Sequence, residues 1–278
     1  MAKSAIIKSS LAKKYWMALT GLFLCLFLAG HLAGNLQLIF GDALQFNQYA
    51  LFMTTNPAVK ALSYLTYFSI IFHAIDGILL AVQNNNARPI KYAKNKPETN
   101  SPWASRNMAV LGTAILIFIV THMITFWAPM HFDEKMPLQE VTVNTPAGPT
   151  QLYHTVTGSY VEKTAVEVKN RTEFYNPQYN LQVGEGYKDL HKITFAFFKD
   201  PNYGWLYTLL YVISMIVLGF HLHHGFGAAF QSMGVNNPKY SPFIKYFGKG
   251  FAIVVPFLFA IIPVYIYFSD QIQALLAK

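Results

Sequence analysis

The sequence is poor in cysteine and in charged residues. Cys25 is the single cysteine among 278 residues, and it lies inside an apolar run. An intrachain disulfide, a CxxCH haem attachment and an iron–sulfur cluster held by cysteines of this chain are therefore excluded. Charged residues make up only 12% of the chain, against about 25% in soluble domains. GxGxxG and P-loop patterns are also missing, so we expect no nucleotide-binding site.

Apolar residues, by contrast, make up 53% of the sequence. Five stretches reach the length of about 20 residues that a helix needs to cross a bilayer core. The net charge of +8 does not indicate a nucleic-acid partner, because the basic residues flank the apolar stretches, as in membrane proteins. We therefore predict an all-α integral membrane protein with five transmembrane helices. The stretches are Tyr15–Phe40, Val59–Val82, Met108–Met130, Tyr203–Phe230 and Phe247–Phe268.

The basic residues are distributed unequally between the two sides of these stretches. The N-terminal segment, the loop 83–107 and the segment 231–249 together hold twelve of the 21 basic residues and one of the 13 acidic residues. The positive-inside rule assigns this side to the cytoplasm. The N-terminus is then cytoplasmic and the C-terminus external. We divide the chain into residues 1–130 with three helices, an external loop 131–202, and residues 203–278 with two helices.

Four of the five stretches carry a candidate functional histidine: His31, His73, His122 and His221. Ionisable side chains inside membrane helices are costly and usually mark function. Two histidines commonly hold the iron of haem b as axial ligands. A single membrane histidine also often forms only a hydrogen bond with a neighbouring helix, so the positions of the four decide between these interpretations.

The four histidines fall at two depths. His31 and His122 lie 17 and 16 residues from the basic residues that begin their helices, or about 25 Å at 1.5 Å per residue. His73 and His221 each lie 10 residues from the cytoplasmic end of their helices, or about 15 Å. We therefore predict two haems b, an outer one between His31 and His122 and an inner one between His73 and His221.

Two further side chains lie close to the inner pair in sequence. His224 follows His221 by three residues on nearly the same helix face, so it is an alternative ligand or a partner for a haem propionate. Asp76 follows His73 by three residues and is the only acidic residue well inside a stretch. It is either a proton relay or hydrogen-bond partner near the inner haem, or a buried polar group satisfied by a neighbouring helix. Glycines near the histidines are expected to let a flat macrocycle or a neighbouring helix approach closely: Gly30, Gly34, Gly77 and Gly225.

These motifs resemble one family, the five-helix dihaem cytochrome b subunit that anchors succinate dehydrogenases and fumarate reductases. The resemblance covers the apolar stretches and the cytoplasmic loops, and it assigns the family's four axial ligands to His31, His73, His122 and His221. The residues that carry it are Gly30–Asn35 (GHLAGN), Phe72–Gly77 (FHAIDG), Thr121-His122, and Gly219–Gly225 (GFHLHHG) followed by Phe230–Gly234 (FQSMG).

The resemblance implies a set of partners. The chain would be the membrane anchor of a succinate:quinone oxidoreductase in a bacterial inner membrane, without dicarboxylate chemistry of its own. It would pass electrons between an iron–sulfur subunit, which joins it to a flavoprotein with FAD, and menaquinone. A homo-oligomer of the whole complex is compatible with this assignment. The alternative is the dihaem anchor of another quinone-linked dehydrogenase, of the hydrogenase or formate dehydrogenase type, and a transporter with structural histidines is a third class.

The remaining predictions concern the end of the first stretch, the residues just after it, and the long loop 131–202. Asn35 and Gln48 are candidates for hydrogen bonds to a quinone at the outer side, with Gln37 and Asn47 as further amides; the same groups also suit helix caps. The segment 141–169 is rich in Thr, Val and Tyr and predicts a small β-hairpin or meander. The segment 187–199 resembles the amphipathic helix that precedes the fourth span in this family, and its apolar residues are expected to lie on the membrane surface.

Overall fold

The computed structural model describes residues 10–87, 96–146 and 148–277. The chain is mostly helical, and two small antiparallel sheets interrupt the helices. Five helices are long and apolar enough to cross a membrane, which confirms the number of stretches read from the sequence. They are Leu11–Phe40, Pro57–Asn86, Met108–Phe132, Gly204–Ser232 and Ser241–Leu276.

Two of these five long segments consist of shorter helical elements that follow one another. The first contains a turn at Leu36, and the third contains a π-helix, Met123–Trp127, directly after His122. The α-helices of the described residues are α1 Ser10–Asn35, α2 Gln37–Phe40, α3 Ala43–Thr55, α4 Pro57–Asn86, α5 Pro97–Asn100, α6 Trp103–Arg106, α7 Met108–His122, α8 Ala128–Phe132, α9 Leu190–Phe198, α10 Gly204–Ser232 and α11 Ser241–Leu276.

Short polar side chains cap the N-terminal ends of three of the helices. The carboxylate of Asp42 accepts a hydrogen bond from the backbone N–H of Gln45 at 2.7 Å and caps α3. The Asn56 side chain accepts from the N–H of Ala58 at 3.0 Å at the start of α4, whose first residue is a proline. Proline suits this position because the first N–H of a helix has no intrahelical acceptor. Asp189 caps α9 in the same way.

The sheets lie in the segment between α8 and α9. Strands β1 Glu140–Thr145, β2 Gly148–His154 and β3 Tyr160–Glu162 form one antiparallel sheet in the order β1-β2-β3. Strands β4 Glu167–Lys169, β5 Glu173–Asn176 and β6 Leu181–Glu185 form the second in the order β4-β5-β6. The side chain of Phe174 is fully buried and stacks on Tyr153 at 4.9 Å between ring centres. The strands and α9 confirm the predicted β-structure and helix of this segment.

The chain forms two compact units. The described residues of the first unit fall in Met1–Ala33, Ala61–Ile119 and Leu209–Val264, and those of the second in Gly34–Lys60, Val120–Thr208 and Tyr265–Lys278. The core of the first unit is built around Cys25, Met215, Leu218, Leu222, Phe226 and Ala252. The second unit has a smaller cluster that contains Ala50, Met130 and Met136.

Candidate functional site

The first unit brings His73 and His221 together. His73 lies on α4 and His221 on α10, and their ring centres are 6.2 Å apart with an angle of 68° between the ring planes. The two residues are 148 positions apart in the sequence, so helix packing alone makes this contact. This contact agrees with the inner pair, which was expected because both histidines lie equally far from the ends of their helices.

The spacing of the two rings suits a shared metal ion. A bond between a metal and an imidazole nitrogen is about 2.0 Å long, and the nitrogen lies about 1.1 Å from the centre of its ring. Two imidazoles bound to one ion would therefore have ring centres up to about 6 Å apart, close to the separation of His73 and His221, 6.2 Å. The donor set thus fits an iron with two axial histidines.

The two histidines differ in their hydrogen bonds. The Nδ1 atom of His73 lies 3.2 Å from the hydroxyl oxygen of Thr20. The Nδ1 atom of His221 is buried and has no hydrogen-bond partner among the described residues. A buried polar atom without a partner costs about 1–3 kcal/mol, and such an exception calls for an explanation such as strain, a bound water or ion, or a redox or catalytic role. The exception at His221 is compatible with a functional site.

The glycines next to these rings were not foreseen from the sequence. A Cβ atom at Gly21 would lie 3.0 Å from Cε1 of His73, and one at Gly112 would lie 3.6 Å from Cε1 of His221. Spacing along the helix that carries a histidine cannot show which residue of another helix meets its ring. Gly77 and Gly225 face Met17 and Met108, and their role in admitting a macrocycle or a neighbouring helix stays a prediction.

Thr20 and Gly21 are site residues that the sequence reading missed. They are consecutive on α1, a helix whose own candidate ligand, His31, lies three turns further along. A threonine in an apolar helix usually bonds to a carbonyl of its own helix, so Thr20 gave no separate signal. Its contact with His73 becomes visible only when α1 and α4 are packed together.

The side chains proposed near the inner pair have different environments. His224 is half-buried, and His223 is exposed; the ring that packs on His73 is that of His221. This geometry favours His221 over His224 as the partner of His73. Asp76 is half-buried and lies close enough to His73 for their charges to interact. That placement fits a polar group near the inner pair.

The other two histidines lie in different units. His31, in the first unit, stacks on Phe27 at 5.2 Å between ring centres and contacts Phe259 of α11 at 5.8 Å. His122, in the second unit, contacts Phe126 at 5.4 Å and precedes the π-helix directly. Single π-helical turns are frequent at functional sites. The pairing of His31 with His122 stays a prediction.

Asn47 and Gln48, two amides that follow the first apolar stretch, differ in burial. Asn47 is 1% exposed; its amide nitrogen donates to Gln139 and to Asp189, the latter at 2.8 Å, and its oxygen accepts from the backbone N–H of His191 at 3.0 Å. Asn47 is thus occupied within the protein. Gln48, one residue on, is exposed.

The end of α1 packs closely against α3. A Cβ atom at Gly34 would lie 2.6 Å from the hydroxyl oxygen of Tyr49, so only glycine fits there without displacing the tyrosine. Asn35 and Gln48 are the sequence neighbours of this contact. The proposed quinone-binding amides therefore lie on two segments that pack against each other.

A metal centre built from protein ligands alone would need more donors than the inner pair has. Within residues 10–87, 96–146 and 148–277, no three His, Cys, Asp or Glu side chains are grouped in that way. A haem iron needs only two, because the macrocycle supplies the rest. Comparisons with protein-family models, with curated proteins and with solved structures give no match.

Proposed function

We propose that this chain is a dihaem cytochrome b that carries electrons within a membrane. The observation that supports this most directly is the pairing of His73 and His221 on two long apolar helices, with a ring separation suited to one shared iron. In this proposal His73 and His221 hold the inner haem, and His31 and His122 hold the outer haem. Each haem, when bound, supplies a one-electron redox couple whose potential depends on its axial ligands and surroundings.

The residues around the inner pair have defined tasks in this proposal. The two imidazoles bind the iron through one nitrogen each, and the apolar helices exclude water and lower the local dielectric constant. Gly21 and Gly112 leave space beside the rings. Asp76 places a carboxyl group near His73, where it serves as a polar partner of the site or holds a proton.

The resemblance of the histidine motifs extends the proposal to a complex. We propose the chain as the anchor subunit of a succinate:quinone oxidoreductase in a bacterial inner membrane, with its N-terminus in the cytoplasm. An iron–sulfur subunit and a flavoprotein with FAD are then its partners, and menaquinone is its membrane substrate. The residues of the histidine motifs support this assignment, and no matching family or relative adds to that support.

The haem proposal is tested by purifying the protein and measuring its haem content. We expect two haems b per polypeptide in a pyridine haemochrome assay. His73→Ala and His221→Ala should each remove one haem and leave the spectrum of the other unchanged. The matched control is His223→Ala, which alters an exposed histidine of the same helix and should retain both haems. One haem or none in the wild-type protein contradicts the proposal, and loss of both haems from the control contradicts the assignment of the ligands.

The partner assignment needs a separate measurement. Co-purification of a flavoprotein and an iron–sulfur protein, with succinate–menaquinone activity, is the expected result. Hydrogenase or formate dehydrogenase subunits in the same preparation would instead identify the alternative complex. A purified chain without haem absorbance would favour the transporter class.

The quinone site is proposed at the outer side, near Asn35 and Gln48. Replacing both by leucine should lower quinone-linked turnover at least tenfold while the haem content stays at two. Asp76→Asn is the comparison, because it tests a site at the inner side. Unchanged turnover in the double variant together with loss in Asp76→Asn would move the site inward.

A further inference from the structure

The side chain of Thr20 contacts an imidazole that belongs to another helix. Thr20 lies on α1, is 5% exposed, and has its hydroxyl oxygen 3.2 Å from Nδ1 of His73 on α4. We propose that Thr20 is a positioning residue that fixes the tautomer and the ring orientation of His73, and thereby lowers the reduction potential of the inner haem. This inference rests on the proposed function, because it assumes that His73 is an axial ligand.

The direction of the hydrogen bond follows from the other contacts of Thr20. Its hydroxyl oxygen lies 2.7 Å from the backbone carbonyl oxygen of Trp16 and 3.3 Å from that of Met17. A carbonyl oxygen only accepts, and a threonine hydroxyl has a single proton, so Thr20 donates to these carbonyls, with the shorter bond to Trp16. The contact with His73 therefore has Nδ1–H as the donor and the threonine oxygen as the acceptor.

This arrangement selects one nitrogen of His73 for the metal. A neutral imidazole carries its proton on one nitrogen and a lone pair on the other. With the proton on Nδ1, the lone pair lies on Nε2, which is then the nitrogen available to bind iron. Hydrogen bonds of this kind fix ring orientation and raise the basicity of metal-bound histidines elsewhere.

The residue next to Thr20 supports the close approach of the ring. A Cβ atom at Gly21 would lie 3.0 Å from Cε1 of His73, closer than ordinary van der Waals contact. Thr20 and Gly21 thus act on the same ring, one through a hydrogen bond and the other by leaving space. A larger residue at position 21 would push the imidazole away from the hydroxyl.

The opposite histidine lacks such a contact. Among the described residues Nδ1 of His221 has no hydrogen-bond partner, and its ring packs against neighbours such as Gly112. The protein therefore adjusts the basicity of the inner pair through His73. A more basic ligand stabilises ferric iron more than ferrous iron, and this lowers the reduction potential.

The test compares variants at position 20 by redox titration of the purified dihaem protein. Thr20→Val keeps the shape of the side chain and removes the acceptor. We expect one haem to change its ratio of ferric to ferrous stability by about tenfold, taken from the lower end of the effect that losing such a partner has on metal affinity. This ratio corresponds to a potential raised by about 59 mV for one electron. Thr20→Ser keeps the hydroxyl and should restore the wild-type potential.

The matched control is Thr66→Val. Thr66 is 4% exposed and also donates to a carbonyl four residues back in its own helix, that of Leu62 at 2.9 Å. Its replacement removes the same intrahelical hydrogen bond without a change at His73, so both potentials should stay at their wild-type values. An equal shift in this control would show a general effect of losing a buried hydroxyl and would overturn the proposal.

The remaining outcomes separate this inference from the proposed function. Two haems with unchanged potentials in Thr20→Val would contradict the role of Thr20 alone, whereas a wild-type protein without haem would contradict the proposed function. If Thr20→Val does not retain the inner haem, Thr20→Ser and Thr20→Ala provide the comparison, because they differ only by the hydroxyl. A higher potential in the alanine variant supports the proposal, and equal potentials overturn it.

Discussion

Hydroxyl groups and imidazoles in the apolar helices find hydrogen-bond partners within their own helix or in another. Thr66, Thr113 and Ser214 each donate to the carbonyl four residues back in their own helix, at 2.8–2.9 Å. Such a bond satisfies the hydroxyl within one helix. An imidazole can form the same kind of bond, as His131 does with the carbonyl oxygen of Trp127 at 2.7 Å. The ring of His73 instead contacts a hydroxyl of another helix, that of Thr20 at 3.2 Å.

Asn47 shows how one buried amide holds the second unit together. Its three hydrogen bonds join α3 to Gln139 before β1, to Asp189, and to the first turn of α9 at His191. Asp189 also caps α9 by accepting from the backbone N–H of Lys192 at 2.9 Å. Asn47 and Asp189 together therefore fix where α9 begins.

We expect Asn47→Ala to destabilise the second unit by about 3 kcal/mol, because it leaves buried hydrogen-bond partners unsatisfied. Thermal unfolding of the purified protein and limited proteolysis of the segment between α8 and α9 measure this loss. Gln45→Ala is the control: its side chain is exposed on the same helix, and we expect a change within about 0.5 kcal/mol. Equal stabilities of the two variants would contradict the role assigned to Asn47.

At the scale of secondary-structure elements, a carboxylate joins the first sheet to the turn after β3 and to α9. Glu140 at the start of β1 forms ion pairs with Lys163 and with Lys192, both at 2.7 Å. Hydrogen bonds from these two lysines lower the pKa of Glu140 below its usual value of 4.5. Because the folded protein favours the ionised form, the pairs stabilise the fold fully above about pH 4.5.

This stabilisation should disappear as the pH falls through the lowered pKa of Glu140. We expect the double variant Lys163→Met/Lys192→Met to be less stable than the wild type at pH 7, by about 0.5–2 kcal/mol for two partly exposed pairs. The difference should shrink as the pH falls below 4.5, where the carboxylate takes up a proton. Thermal unfolding between pH 3 and pH 7 measures it, and a difference independent of pH would contradict the assignment.

The sequence predicts the long helices and the inner histidine pair better than it predicts the sheets. Length and apolar content alone define the five helices. Equal distances from helix ends place His73 and His221 at one level, since the rise per residue of a helix is constant. The meander expected over 141–169 covers β1 to β4 only, because Glu173–Asn176 and Leu181–Glu185 are short strands stabilised by pairing and by Phe174.

Contacts between helices could not be predicted from the sequence. Periodicity shows which residues share a face of one helix, but it does not show which face of the next helix they meet. Thr20 and Gly21 at His73, and Tyr49 at Gly34, depend on that information. Asn47 resembled other polar amides in the sequence, and only its burial identifies it as structural.

At the scale of the whole molecule, the distribution of charged residues determines which side of the membrane is assigned to the cytoplasm. The segments assigned to the cytoplasm contain twelve basic residues and one acidic residue, whereas residues 131–202 contain seven basic and nine acidic residues. The labels inner and outer for the two histidine pairs depend on this assignment. Reversing the topology would put the His31 and His122 level nearest the cytoplasm and its electron-transfer partners.

Cysteine labelling in intact cells tests this orientation directly. Cys25 is buried, so the native chain provides a low background for an impermeant maleimide. Gln178 and Asn236 are both exposed and lie in loops that the charge rule assigns to opposite sides. We expect Gln178→Cys to be labelled in intact cells and Asn236→Cys only after the membrane is disrupted. The reverse pattern would place residues 131–202 in the cytoplasm, and the proposed outer haem, not the proposed inner one, would then be nearest the cytoplasmic partners.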